Sequence, residues 1–110
     1  MADITKTNAV TNGSVTFTPT AGAASQTFVV SKDERTVLYV KNGSASGITA
    51  TVKAGDGIAS VMGDLAVAVA AGEEKIIGPL ESARFGDKTT HKITVALSAT
   101  ASVTIGVIQL

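Results

Sequence analysis

Residues 35–54, RTVLYVKNGSASGITATVKA, constrain the fold more than any other stretch of the chain. Two alternating runs rich in β-branched residues flank a Gly/Ser segment that opens with Asn42-Gly43. Alternation with period two is the pattern of strands, and Asn-Gly is the strongest short signal for a hairpin turn. The expected unit is a pair of strands with its tip at residues 42–47. In residues 35–41 the apolar positions Val37 and Tyr39 oppose Leu38 and Val40, as in a central strand covered on both faces. In residues 48–53, Ile48, Ala50 and Val52 alternate with Thr49, Thr51 and Lys53, so this partner strand offers only one face to a core.

The remainder continues in short extended runs separated by turn residues. Val15 and Phe17 alternate with Thr16 and Thr18 between Asn12-Gly13 and Pro19, which predicts a strand with one wet face. Residues 26–30 form another extended run before the charged turn 31–34. Leu65, Val67 and Val69 alternate with Ala66, Ala68 and Ala70, placing large side chains inward and methyl groups outward. Good helix formers across residues 57–71 make a helix the competing reading, but the period-two spacing favours a strand. Residues 75–80 run into Pro79, which denies a ladder donor and marks an edge or a strand end. Residues 81–92 are polar and loop-like apart from Phe85. Two closing strands follow at residues 93–97 and 103–110, and the apolar end at Ile108 and Leu110 implies a central strand or an interface. Turn chemistry about every ten residues predicts an all-β fold, a single-domain antiparallel β-sandwich over residues 1–110 with a small β-barrel as the alternative. Residues 1–11 are expected to form a flexible N-terminal arm.

A chain of 110 residues is the size of one domain and buries roughly 65% of its unfolded surface on folding. Because 45% of residues are hydrophobic and only 4% aromatic, Val, Ile, Leu and Ala must fill that interior. A formal net charge of zero gives no electrostatic reason to expect nucleic acid or an anionic membrane as a partner. There is no cysteine, hence no disulfide framework or thiolate metal site, and stability must come from packing or oligomerisation. The opening residues lack the apolar core of a signal peptide, so synthesis in a cytoplasm is expected.

Reactive groups are sparse. His91 is the single histidine, which excludes multi-histidine metal sites without a partner chain and makes a solvated loop residue the simplest reading. Asp56, Asp64, Glu73, Glu74 and Asp87 could supply oxygen ligands to calcium, but no calcium-loop spacing is present and turn-forming charges account for them. Asn12-Gly13-Ser14 and Asn42-Gly43-Ser44 match the glycosylation triplet, but both also match turns. Arg84, Lys88, His91 and Lys92 are interspersed with Glu81 and Asp87, the composition of a mixed solvated loop. No phosphate-binding loop follows Gly72 or Gly78. No catalytic residue, metal or cofactor is expected, and an enzyme is the least favoured class.

The segments RTVLYVKNGS at residues 35–44 and GITATV at residues 47–52 resemble a run shared by small tailed-phage virion structural proteins. The resemblance continues through AAGEEKIIGPL at residues 70–80, Phe85 and the closing strands, covering most of the chain after Arg35. It implies a head decoration or auxiliary capsid protein. The expected function is therefore to cement the outer surface of a mature phage head by non-covalent contacts with the major capsid protein or other virion proteins. The protein would be made in the bacterial host cytoplasm and would act as a homo-oligomer such as a trimer. Expected subunit contacts are Ala66, Ala68, Ala70, Ile108 and Leu110; expected capsid contacts are Ile4, Lys6, Asn42, Ser44 and Ser46. A head-to-tail connector or tail-tube component is the alternative within virion proteins. A carbohydrate-binding β-sandwich module is the alternative from another class, although Phe17, Phe28, Tyr39 and Phe85 are the only aromatics available for a sugar platform.

Overall fold

The computed structural model describes residues 2–4, 6–9, 13–29, 35–55, 60–80, 82–87 and 90–109. Its strands are β1 (Ala2–Asp3), β2 (Lys6–Asn8), β3 (Thr20–Ala21), β4 (Ser25–Val29), β5 (Thr36–Asn42), β6 (Ile48–Val52), β7 (Leu65–Val69), β8 (Glu74–Ile77), β9 (Lys92–Leu97) and β10 (Val103–Gln109). A short 3-10 turn, Ser60–Met62, precedes β7, and a single helical turn, α1 (Ser82–Phe85), follows β8. The strands form two sheets, ordered β1-β4-β9-β6-β7 (sheet A) and β2-β10-β5-β8 (sheet B), with β3 also on β10. The sheets pack face to face as an open β-sandwich, not a closed barrel. The shortest dimension, 20 Å, is that of two stacked layers.

The alternation read from the sequence decides which residues enter the core. In sheet B, Leu38 lies between Val107 and Ile77, and Val40 pairs with Ile105, all of them inward and buried. Sheet A supplies the opposing layer: Phe28 pairs with Ile93, Val52 lies between Val95 and Leu65, and Ile48 pairs with Val69. Most of this layer is fully buried; Leu65 sits half-buried at its margin. Burying each such side chain contributes about 1.5–3 kcal/mol. The polar or small residues between them, Thr49, Thr51, Ala66, Ala68, Thr94 and Ala96, face outward.

Several expectations are corrected. Residues 35–54 are not a hairpin, since β5 belongs to sheet B and β6 to sheet A. The chain arches from one layer to the other at Asn42, whose side chain is fully buried. The closing strands β9 and β10 are likewise split between layers. Ser14–Thr18 is not a strand. The edge of β10 away from β5 is already occupied by β2 and β3, so this segment has no ladder to join. It crosses the outer face of sheet B instead, with the Phe17 ring seated over Gly106.

The described part of residues 1–11 is not a free arm. β1 runs parallel to β4 and β2 runs parallel to β10, so the segment steps from one sheet to the other. The Ile4 amide donates to the Thr27 carbonyl at 2.7 Å, and its side chain, 4% exposed, is part of the core. The Ala9 amide donates to the Gln109 carbonyl at 2.7 Å. An apolar residue at position 4 and two otherwise open ladder edges explain the docking. Other expectations hold: β5 is central, β8 is an edge strand ending before Pro79, and residues 65–69 are a strand and not a helix.

Candidate functional site

Several charged side chains among the described residues are engaged with close neighbours. Asp64 accepts the Ala54 amide at 2.6 Å and lies 3.5 Å from Lys53. The backbone donor, opposed by desolvation and aided by Lys53 and Arg84, holds the Asp64 carboxyl below its ordinary pKa. Glu74 pairs with Lys41 at 3.6 Å, and Glu73 with Lys75 at 3.7 Å. Asp87 accepts the Thr90 amide at 3.0 Å. Asp56 lies outside the described residues. Among the described residues, no cluster of His, Cys, Asp or Glu could hold a metal ion. His91 is exposed, and Arg84 donates to the Gly63 carbonyl while stacking 4.7 Å over the Phe85 ring. The basic grouping is thus divided; Lys88 lies outside the described residues.

The residues expected at protein contacts do not form one surface. Ala66 and Ala68 are exposed on the outward side of β7, the edge strand of sheet A, and Ala70 is exposed just beyond it. Ile108 is half-buried on the outer face of sheet B, opposite Val37; Leu110 lies outside the described residues. Ile4 and Asn42 are interior and cannot touch a capsid as the protein stands. Lys6 is half-buried, its Nζ donating to Gln109 Oε1 at 3.2 Å, while Gln109 Nε2 donates to Asn8 Oδ1 at 2.9 Å. Ser44 is tied to Asn42, and Ser46 is exposed.

Asn42 is a structural corner. Its Nδ2 donates to the carbonyls of Ser46 at 2.7 Å, Val69 at 3.1 Å and Ala70 at 3.3 Å. Its Oδ1 accepts the Ser44 amide at 3.0 Å and the Ser44 hydroxyl at 2.6 Å. One amide therefore joins the end of β5 in sheet B to the end of β7 in sheet A.

The outer face of sheet B carries the apolar surface that the sequence reading missed. Phe17 and Tyr39 meet edge to face with centroids 5.2 Å apart, both half-buried. Val37 and Ile108 adjoin Tyr39 on the same face, and Ile76, 57% exposed, is paired with Tyr39 across β5 and β8. Val15, 47% exposed, lies two residues before Phe17. The signal was the apolar outward set Val37 and Tyr39 of β5, which reads as full burial when no partner layer is known. Comparison with known proteins finds no matching family model, no matching curated protein and no matching solved structure.

Proposed function

We propose that this protein is a non-enzymatic virion component that docks on the outer surface of a tailed-phage head and stabilises it through protein–protein contacts. The observation that carries the reading is the apolar outer face of sheet B, where Tyr39, Phe17, Ile76 and Val15 stand partly exposed on a rigid two-layer scaffold. Exposed apolar patches mark interaction sites, and tyrosine is among the side chains that contribute most at protein interfaces. The resemblance of residues 35–52 and 70–80 to virion structural proteins supports the same reading. Repetition over a symmetric shell lets a contact near the standard size of about 1,600 Å² act in concert with its neighbours. On this reading the docking face is the outer side of sheet B; Ile4 and Asn42 stabilise the scaffold.

The test mixes purified protein with expanded and unexpanded phage heads prepared without it. Saturable binding to expanded heads, improved survival of those heads on heating, and loss of binding in Ile76→Glu with an unchanged melting temperature are expected. Absence of binding to both forms overturns the reading.

A further inference from the structure

β7 is the one full-length strand whose outer edge is unprotected among the described residues. The other sheet edges are blunted. β1 and β3 are two residues long and β2 is three. β8 turns Lys75 toward the inner side, carries Glu74 on the outer side, and is followed by Pro79. β7 reads Leu-Ala-Val-Ala-Val, with no charge and no proline.

The ladder settles which of its backbone groups are open. The Lys53 amide donates to the Thr94 carbonyl and the Ser98 amide to the Thr49 carbonyl, so the odd-numbered backbone groups around β6 face β9. The even-numbered Ile48, Ala50 and Val52 therefore face β7, opposite Val69, Val67 and Leu65. It follows that the N–H and C=O groups of Ala66 and Ala68 point away from the sheet.

We propose that β7 is a seam between two copies of this chain, the two β7 edges pairing antiparallel about a two-fold axis at Val67. The inference deepens the reading of the protein as a virion structural component, adding contacts between its own copies, and rests on it. The strand is self-complementary about that axis. Ala66 falls opposite Ala68 of the second copy, aligning the open donors and acceptors of both. Leu65 falls opposite Val69 of the second copy, so each large side chain continues the inner layer and each methyl group the outer one. An independent feature lies at the same place. Val61 and Met62, 90% and 64% exposed, are the most exposed large apolar residues among those described, and they are separated from β7 only by Gly63 and Asp64. Antiparallel pairing brings the second copy's residues 70–72 to that end of the strand.

Sedimentation velocity on the purified full chain, across a wide concentration range, tests the seam. The wild type is expected to dimerise. Ala68→Pro, which removes a donor the fold does not use, is expected to weaken the dimer about a hundredfold while the circular dichroism spectrum is unchanged. Hydrogen exchange supplies a readout without substitution: the amides of Ala66 and Ala68 slow as concentration rises, whereas that of Ala50 does not change. A wild type that stays monomeric throughout, or association that persists in Ala68→Pro with concentration-independent exchange at Ala66 and Ala68, overturns the proposal. Head binding is scored separately. A β7 dimer that ignores every head retains the seam and removes the virion role; head binding without dimerisation does the reverse.

Discussion

The Phe17 ring occupies the space above Gly106 that a β-carbon would need, and it packs edge to face on Tyr39, the residue paired with Gly106 across β5 and β10. A segment with no ladder of its own is thereby fixed to the outside of sheet B. Gly106→Ala must expel the ring or distort β10, and is expected to destabilise the protein by about 1–3 kcal/mol. Denaturant unfolding measures this. In the double variant with Phe17→Ala the added cost of Gly106→Ala should largely vanish, because the two positions share one volume.

Asn42 offers the sharpest test of the arch. Asn42→Asp keeps the shape but removes the donors that three carbonyls share and turns a carboxylate toward them. The expected loss for Asn42→Ala is about 2–3 kcal/mol, from buried acceptors left unpaired, and that for Asn42→Asp is larger at neutral pH. If Asp unfolds at the same denaturant concentration as Asn, the corner does not depend on this side chain.

Removal of residues 1–9 would uncover the edges of β4 and β10 and take Ile4 out of the core. Ile4→Ala alone is expected to cost about 2–4 kcal/mol, a value proper to a core position and not to a free arm. A change of a few tenths would show that the segment is dispensable in solution.

Asp64 sets an acid limb. Its folded pKa is lowered by the Ala54 amide, and then by Lys53 and Arg84, so the unfolded chain binds the proton more readily than the native one. Its contribution to stability is therefore present above the unfolded value of about 4 and is lost as pH falls through the lower native value. Melting curves of wild type and Asp64→Asn should differ at neutral pH and converge as the solution is acidified through that window. A constant offset would mean that the carboxylate is not coupled to folding.

The two-layer, all-β architecture was legible because inward and outward positions differ so plainly in β6 and β7. The central place of β5 was readable from Val37 and Tyr39, and the edge character of β8 from Pro79. Pairing was not readable. Asn42-Gly43 is local turn chemistry, and the same dipeptide serves a hairpin or an arch; what selects the arch is the reach of one amide to Val69 and Ala70, a relationship across the fold. Ser14–Thr18 alternates as strands do, yet alternation cannot reveal that the neighbouring edge of β10 is taken. The surface residues were misplaced for the same reason: Ile4 looked like part of an exposed tail because its partners lie far along the chain, at Thr27 and in the sandwich interior.

β10 has the last position in the order of described strands and the middle position in its sheet, with β2 and β3 on one side and β5 on the other. During synthesis, then, β2 and β3 wait without a partner strand until β10 is available, and β5 has only β8 beside it. Sheet A has its strands earlier but nothing to lie against. Nascent chains stalled before β10 should remain protease-sensitive along their whole length, and resistance should arrive in one step when that strand emerges.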